Sequence, residues 1–101
     1  MSTGSVLRIR FEKFHGNLFP DTGKVEFGGM IFKDAYQAIQ VLREIEDLDE
    51  IKTGFMYKGI RGLVMSDERV ITVNNSGDVR TFASPQTARL SINVLKRRGQ
   101  I

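Results

Sequence analysis

Ser84-Pro85-Gln86-Thr87-Ala88-Arg89-Leu90-Ser91-Ile92-Asn93-Val94-Leu95-Lys96-Arg97-Arg98-Gly99 carries a start signal, a helical pattern and a stop signal in one run. Ser84 is suited to cap free backbone amides. Pro85, at the first helical position, gives up an amide that would have had no partner there. Ala88, Ser91, Ile92 and Leu95 recur at three and four, so they share one face, which Leu90 and Val94 widen. Gly99 is an end residue, and Lys96, Arg97 and Arg98 sit where cations suit the negative end of the helix dipole. The stretch predicts a helix with one apolar side and one basic side.

Working back from that helix, the chain reads as strands. Val70-Ile71-Thr72-Val73 is dominated by β-branched residues. Asn74-Asn75-Ser76-Gly77-Asp78 is a hairpin signal, because asparagine and glycine tolerate the positive backbone angles such loops need. Val79-Arg80-Thr81-Phe82 returns beside it. Gly54 to Ile60 and Gly62 to Met65 are extended runs broken by glycines, and Ser66-Asp67-Glu68-Arg69 is a turn.

A second helix is expected from about Asp34, as cap, to Leu48, burying Ala35, Ala38, Ile39, Leu42 and Ile45. It would end in Glu44, Glu46, Asp47, Asp49 and Glu50, where acids oppose the helix dipole. Before it, Val6 to Phe14 reads as one strand, with Leu7, Ile9 and Phe11 to one side and Arg8, Arg10 and Glu12 to the other. His15 to Gly23 reads as a loop carrying Leu18 and Phe19. Lys24-Val25-Glu26-Phe27 resumes the alternation, and Gly28-Gly29 interrupts it.

These elements predict an α+β fold, an antiparallel sheet with both helices on one face, in a single compact domain over 1–101. A faint echo sets Gly23 to Phe27 and its helix against Gly77 to Phe82 and its helix. The offsets are 54 and 53, as a duplicated ββα unit would give, although the ordinary vocabulary of a small α+β protein gives the same pattern.

The chain has 101 residues with 41% hydrophobic, and no cysteine, so thiolate metal sites, disulfides and thiol catalysis are excluded. No run reaches membrane-spanning length, and Met1 to Ser5 lacks the pattern of a secretion signal, so a cytoplasmic protein without membrane attachment is expected. Formal charge is +3, unevenly spread: residues 1–50 hold six basic and nine acidic side chains, and residues 51–101 hold nine basic and three acidic. The asymmetry would steer an anionic partner to the second half, or let copies attract one another.

Chemistry is sparse. His15 is the one histidine, no serine stands in a nucleophile elbow, and the glycines form no phosphate loop. No catalytic residue, metal or cofactor is expected, and the chain reads as a binding protein rather than an enzyme. The candidate nucleic-acid-binding residues are Arg89, Asn93, Lys96, Arg97 and Arg98 on the last helix, joined by Arg8, Arg10 and Arg80. Arginine and lysine can meet phosphates, and Asn93 and Arg89 can read base edges. DNA and RNA are not distinguished. The competing expectation is a protein-interaction or assembly module, serving as inhibitor, adaptor or structural subunit, and a homo-oligomer is expected in either case.

Overall fold

The computed structural model describes residues 5–100. The chain forms β1 (Leu7–Phe11), β2 (Phe14–Phe19), β3 (Lys24–Phe27), β4 (Met30–Phe32) and α1 (Ala35–Leu42). A 3-10 turn over Leu48–Glu50 leads to β5 (Ile51–Tyr57), β6 (Ile60–Met65), β7 (Val70–Val73), β8 (Val79–Phe82) and α2 (Pro85–Arg97). The fold is α+β, with every strand pairing antiparallel. The strands divide into two four-stranded sheets, β1-β2-β3-β4 and β5-β6-β7-β8, rather than the one sheet expected.

The chain runs twice through the order ββββα, in a different register from the echo in the sequence. Ile9 pairs with Gly16 as Phe55 pairs with Gly62, a shift of 46. Val25 pairs with Phe32 as Val70 pairs with Phe82, and the N-caps Asp34 and Ser84 are 50 apart. The 54-residue echo aligns β3 with β8, which are not equivalent strands. Loops of unequal length between the hairpins shift the register along the chain and hide the repeat from a search at one offset.

The two units are layered. Phe14, Val25, Phe27 and Phe32 of the first sheet, Ala38, Val41, Leu42 and Ile45 of and just beyond α1, and Leu63, Met65, Ile71 and Val73 of the second sheet form one core. Val64, Val70 and Ala88, with Phe55 and Phe82 beside them, form a smaller core under α2. Since neighbours along a strand point to opposite faces, Leu63 and Ile71 face α1 while Val64 and Val70 face α2. The order of layers is therefore first sheet, α1, second sheet, α2. Val70 to Val73 is buried throughout because both faces of β7 are covered.

Two local departures from the expected elements have physical causes. Val6 to Phe14 is not one strand. The chain turns at Glu12-Lys13, with Glu12 at φ 52°, and Phe14–Phe19 returns as a strand where a loop was expected. The first helix stops at Leu42, short of Leu48, and the acidic run then serves a new start. Asp47 caps the 3-10 turn by accepting from the Asp49 amide at 2.9 Å, and Glu50 accepts from the Asp47 amide at 2.8 Å. Acids that would oppose the end of one helix thus sit at the favourable end of the next turn.

Two contacts tie the units together beyond the core. Gln37, 3% exposed, accepts from the Lys33 amide at 2.9 Å and donates to the Asn74 carbonyl at 3.3 Å. Arg61 on β6 donates to the Ile31 carbonyl at 2.6 Å, and its partial burial depresses its pKa.

Asp34 accepts from the Gln37 amide at 2.8 Å and lies 3.1 Å from Lys33 Nζ. The hydrogen bond from the Gln37 amide chiefly holds its carboxyl below the ordinary 3.8, burial opposes this, and Lys33 adds to it. Asp34→Ala is expected to cost about 1 kcal/mol in urea unfolding. The folded pKa lies below the unfolded one, so the charged cap stabilises fully above the unfolded pKa and its contribution fades as pH falls through the folded value. The stability gap between wild type and Asp34→Asn should therefore shrink on acidification, and a gap that stays constant from about pH 6 to about pH 2 would refute the assignment.

Candidate nucleic-acid interface

α2 forms as its sequence dictates. Ser84 Oγ accepts from the Thr87 amide at 3.2 Å, Pro85 opens the first turn, and Gly99 takes the positive φ of 70° that ends the helix. Ala88 and Ile92 are buried against the second sheet. That seating places Arg89, Asn93 and Lys96 along one flank of the helix, toward the β5–β6 hairpin.

The hairpin braces this flank. Tyr57 Oη donates to Asn93 Oδ1 at 3.1 Å, and Lys58 Nζ donates to the same oxygen. The Arg89 guanidinium lies 5.4 Å from the centre of the Phe55 ring, a cation–π arrangement that holds the side chain along the sheet. Lys58 and Lys96 border a recess of about 150 Å³ closed by Gly59, Ile60, Asn74, Asn75 and Ser76. Lys58 was missed in the sequence because the strand pattern runs on through Lys58-Gly59. The two residues, at φ 52° and 82°, make the tight turn that aims Lys58 at α2.

Arg97 is exposed in the last turn, and Arg98 is the C-cap residue. The ion pairs among the described residues are Lys33–Asp34, Lys52–Glu68 and Arg69–Asp67, none of them on α2. The α2 cations therefore present their charge without a carboxylate partner among these residues. Asn93 is differently placed. Its side-chain oxygen is engaged by Tyr57 and Lys58, so it joins hairpin to helix, and pairing with a base edge would compete with both bonds.

The remaining candidates are dispersed. Arg80 is exposed on the edge strand β8, across from Thr72, whose hydroxyl donates to the Arg80 carbonyl at 3.3 Å. Arg8 and Arg10 share the face of the first sheet that looks away from α1, beside His15 and Asn17. Arg8, His15 and Asn17 line a shallow recess of about 420 Å³ there, and Arg10 Nε donates to the Glu12 carbonyl at 2.6 Å. Three layers separate that face from α2, so the structure divides the predicted set into two surfaces at opposite ends of the stack.

Among the described residues no group of three or more histidine or carboxylate side chains is placed to hold a metal ion. Among the same residues no helix is long and apolar enough to cross a membrane. No protein-family model matches the chain, and searches of curated proteins and of solved structures return no significant match.

Proposed function

We propose that the chain binds nucleic acid through the braced basic flank of α2. The observation that supports this reading is the convergence of Arg89, Lys96 and the hairpin residue Lys58 on one flank with no carboxylate among their ion-pair partners. Arg97 extends the flank at the helix end. Lys58 and Arg89 are held by Asn93 and the Phe55 ring, which lowers their ordering cost on meeting phosphate, and the interaction strengthens as counterions are released. The polar recess between Lys58 and Lys96 suits a backbone phosphate. Arg8 and Arg10, on the far sheet, are not needed for this contact and would meet a second segment of the same polymer.

The test is a size-resolved binding assay with duplex DNA, single-stranded DNA and structured RNA across a salt series. One polymer should be retained at low salt and released steeply as salt rises. The triple variant Arg89→Ala/Lys96→Ala/Arg97→Ala should lower the log–log salt slope by about 3, roughly one per lost phosphate contact. Its circular dichroism should stay that of the wild type, because all three side chains are exposed. Unchanged binding by this variant would reject the surface, and no binding to any polymer at low salt would reject the function.

A further inference from the structure

Beside the Lys58 and Lys96 recess the fold leaves one aromatic ring in solvent. Of the seven phenylalanines and two tyrosines, Tyr36 alone is exposed, at 58%. It stands in the first turn of α1, two residues after the Asp34 cap, and one edge of its ring lies against Gly77 in the β7–β8 loop. A β-carbon on Gly77 would run into that ring, and the residue has φ 86°, so glycine is what lets ring and loop meet. The equivalent position of α2, 50 residues on, is Gln86, so the helix start itself does not call for an aromatic side chain.

One ordered loop joins this ring to the recess. Ser76, which lines the recess, directly precedes Gly77, so their Cα atoms are about 3.8 Å apart. Asn74 also lines the recess, and its carbonyl accepts from Gln37, the residue after Tyr36. The loop is braced from within, because Asn74 Oδ1 accepts from the Ser76 and Asp78 amides, each at 2.9 Å.

The path from the cations to the ring turns a corner. α2 and α1 pack on opposite faces of the second sheet, so a polymer running from Arg89 and Lys96 to Tyr36 must bend round the end of that sheet. Duplex DNA, with a persistence length of about 50 nm, is too stiff to follow it. A single strand can, and its unpaired bases offer free faces for stacking. Charge decides which part of the nucleotide meets the ring. Asp34 and Asp78 flank Tyr36 and Gly77 in the chain; Asp34 pairs with Lys33 at 3.1 Å, and Asp78 accepts from Asn74 Nδ2 at 3.3 Å. An uncharged base suits this neighbourhood, and a phosphate suits the lysines.

We infer that the polymer held by the α2 flank is single-stranded, DNA or RNA, with one base stacked on Tyr36 and an adjoining phosphate in the Lys58–Lys96 recess. The inference rests on the nucleic-acid reading of that flank and specifies its polymer. Every base has a π face, so the contact is tolerant of sequence.

The test uses end-labelled oligothymidylate and oligouridylate of about 12 nucleotides, and a duplex of the same length, titrated with the full chain. The single strands should bind more tightly than the duplex. Tyr36→Leu keeps an apolar side chain over Gly77 but has no π face. It should weaken single-strand binding roughly tenfold, while duplex binding and the salt slope stay as they are, because stacking releases no counterion. Its thermal melt should show it folded, since the position is exposed. Tyr36→Phe keeps the π face and should bind as the wild type does. The chain has two tyrosines and no tryptophan, so tyrosine emission reports the contact. Single strands should quench it in the wild type, and most of that quench should vanish in Tyr36→Phe. Single-strand binding unchanged in Tyr36→Leu, equal losses on single strand and duplex, tighter binding of the duplex, or the same quench in Tyr36→Phe would each overturn the inference. If the Arg89/Lys96/Arg97 variant still loses binding in those cases, the α2 flank stands and the stacking contact alone falls. A wild-type chain that retains no polymer would overturn both.

Discussion

Phe27→Ala should lower the unfolding free energy by about 3–5 kcal/mol. The ring is 2% exposed on β3 and belongs to the core shared by the first sheet, α1 and the second sheet. Removing it empties space at the junction of three layers, where each wall is held by its own hydrogen-bonded element and cannot collapse inward. A domain of this size has only about 5–15 kcal/mol in total, so the loss is a large share. The comparison is Phe19→Ala. Phe19 is half-buried opposite Lys24 on the outer side of the same sheet, and its loss should cost far less. Urea unfolding with an unchanged slope measures both. Equal effects at the two positions would mean that the core does not run through the layers as described.

Gly16→Ala should be the most disruptive of the glycine substitutions, at about 3 kcal/mol, the upper end of what overpacking costs. A methyl group there would run into the Glu26 carbonyl oxygen and stand 2.7 Å from the Phe27 ring. The carbonyl is backbone in a paired strand and cannot swing aside. Gly62, its counterpart in the second unit, is opposed chiefly by the ring of Phe55, a half-buried side chain at the sheet edge that can move outward. Gly62→Ala should therefore cost about 1 kcal/mol or less. Because Gly16 and Phe27 touch, Gly16→Ala and Phe27→Ala should not be additive: the double variant should be more stable than the sum predicts. Additivity, or a Gly62 effect as large as that of Gly16, would refute this account of the cross-strand contact.

The same two glycines show how a repeated element order escapes notice in the sequence. Each lies beneath an aromatic ring, but the ring comes from β3 in the first unit and from β5 in the second. The steric solution is shared between the units while the sequence position that supplies it is not. Caps behave the same way. Asp34 and Ser84 perform one task with different side chains, each accepting from the amide three residues on.

Elements with their own punctuation could be read directly from the chain. Ser84, Pro85 and Gly99 delimit α2 whatever it packs against, since capping and proline geometry act over a single turn. The β-branched run at Val70 to Val73, the Asn74 to Asp78 loop and the return strand to Phe82 are local in the same sense. Two tight turns escaped because they lack that chemistry. Glu12 and Lys58 take positive φ without asparagine, and alternation runs on through both. The acidic run after Leu42 misled for a related reason: composition does not say which helical end a charge serves, and only the chain reversal makes Asp47 a start rather than a finish.

By itself the sequence determined the α+β antiparallel character, the hairpin of Val70 to Phe82 and the whole of α2, because these rest on backbone preferences and on apolar periodicity within one element. Tertiary structure alone decided the division into two sheets, the burial of α1 between them and the separation of Arg8 and Arg10 from the α2 cations. It also brought Lys58 to Asn93 and Tyr36 to Gly77. The physical reason is that periodicity records that a face is buried, whereas the identity of the surface that buries it depends on contacts between residues far apart in the chain.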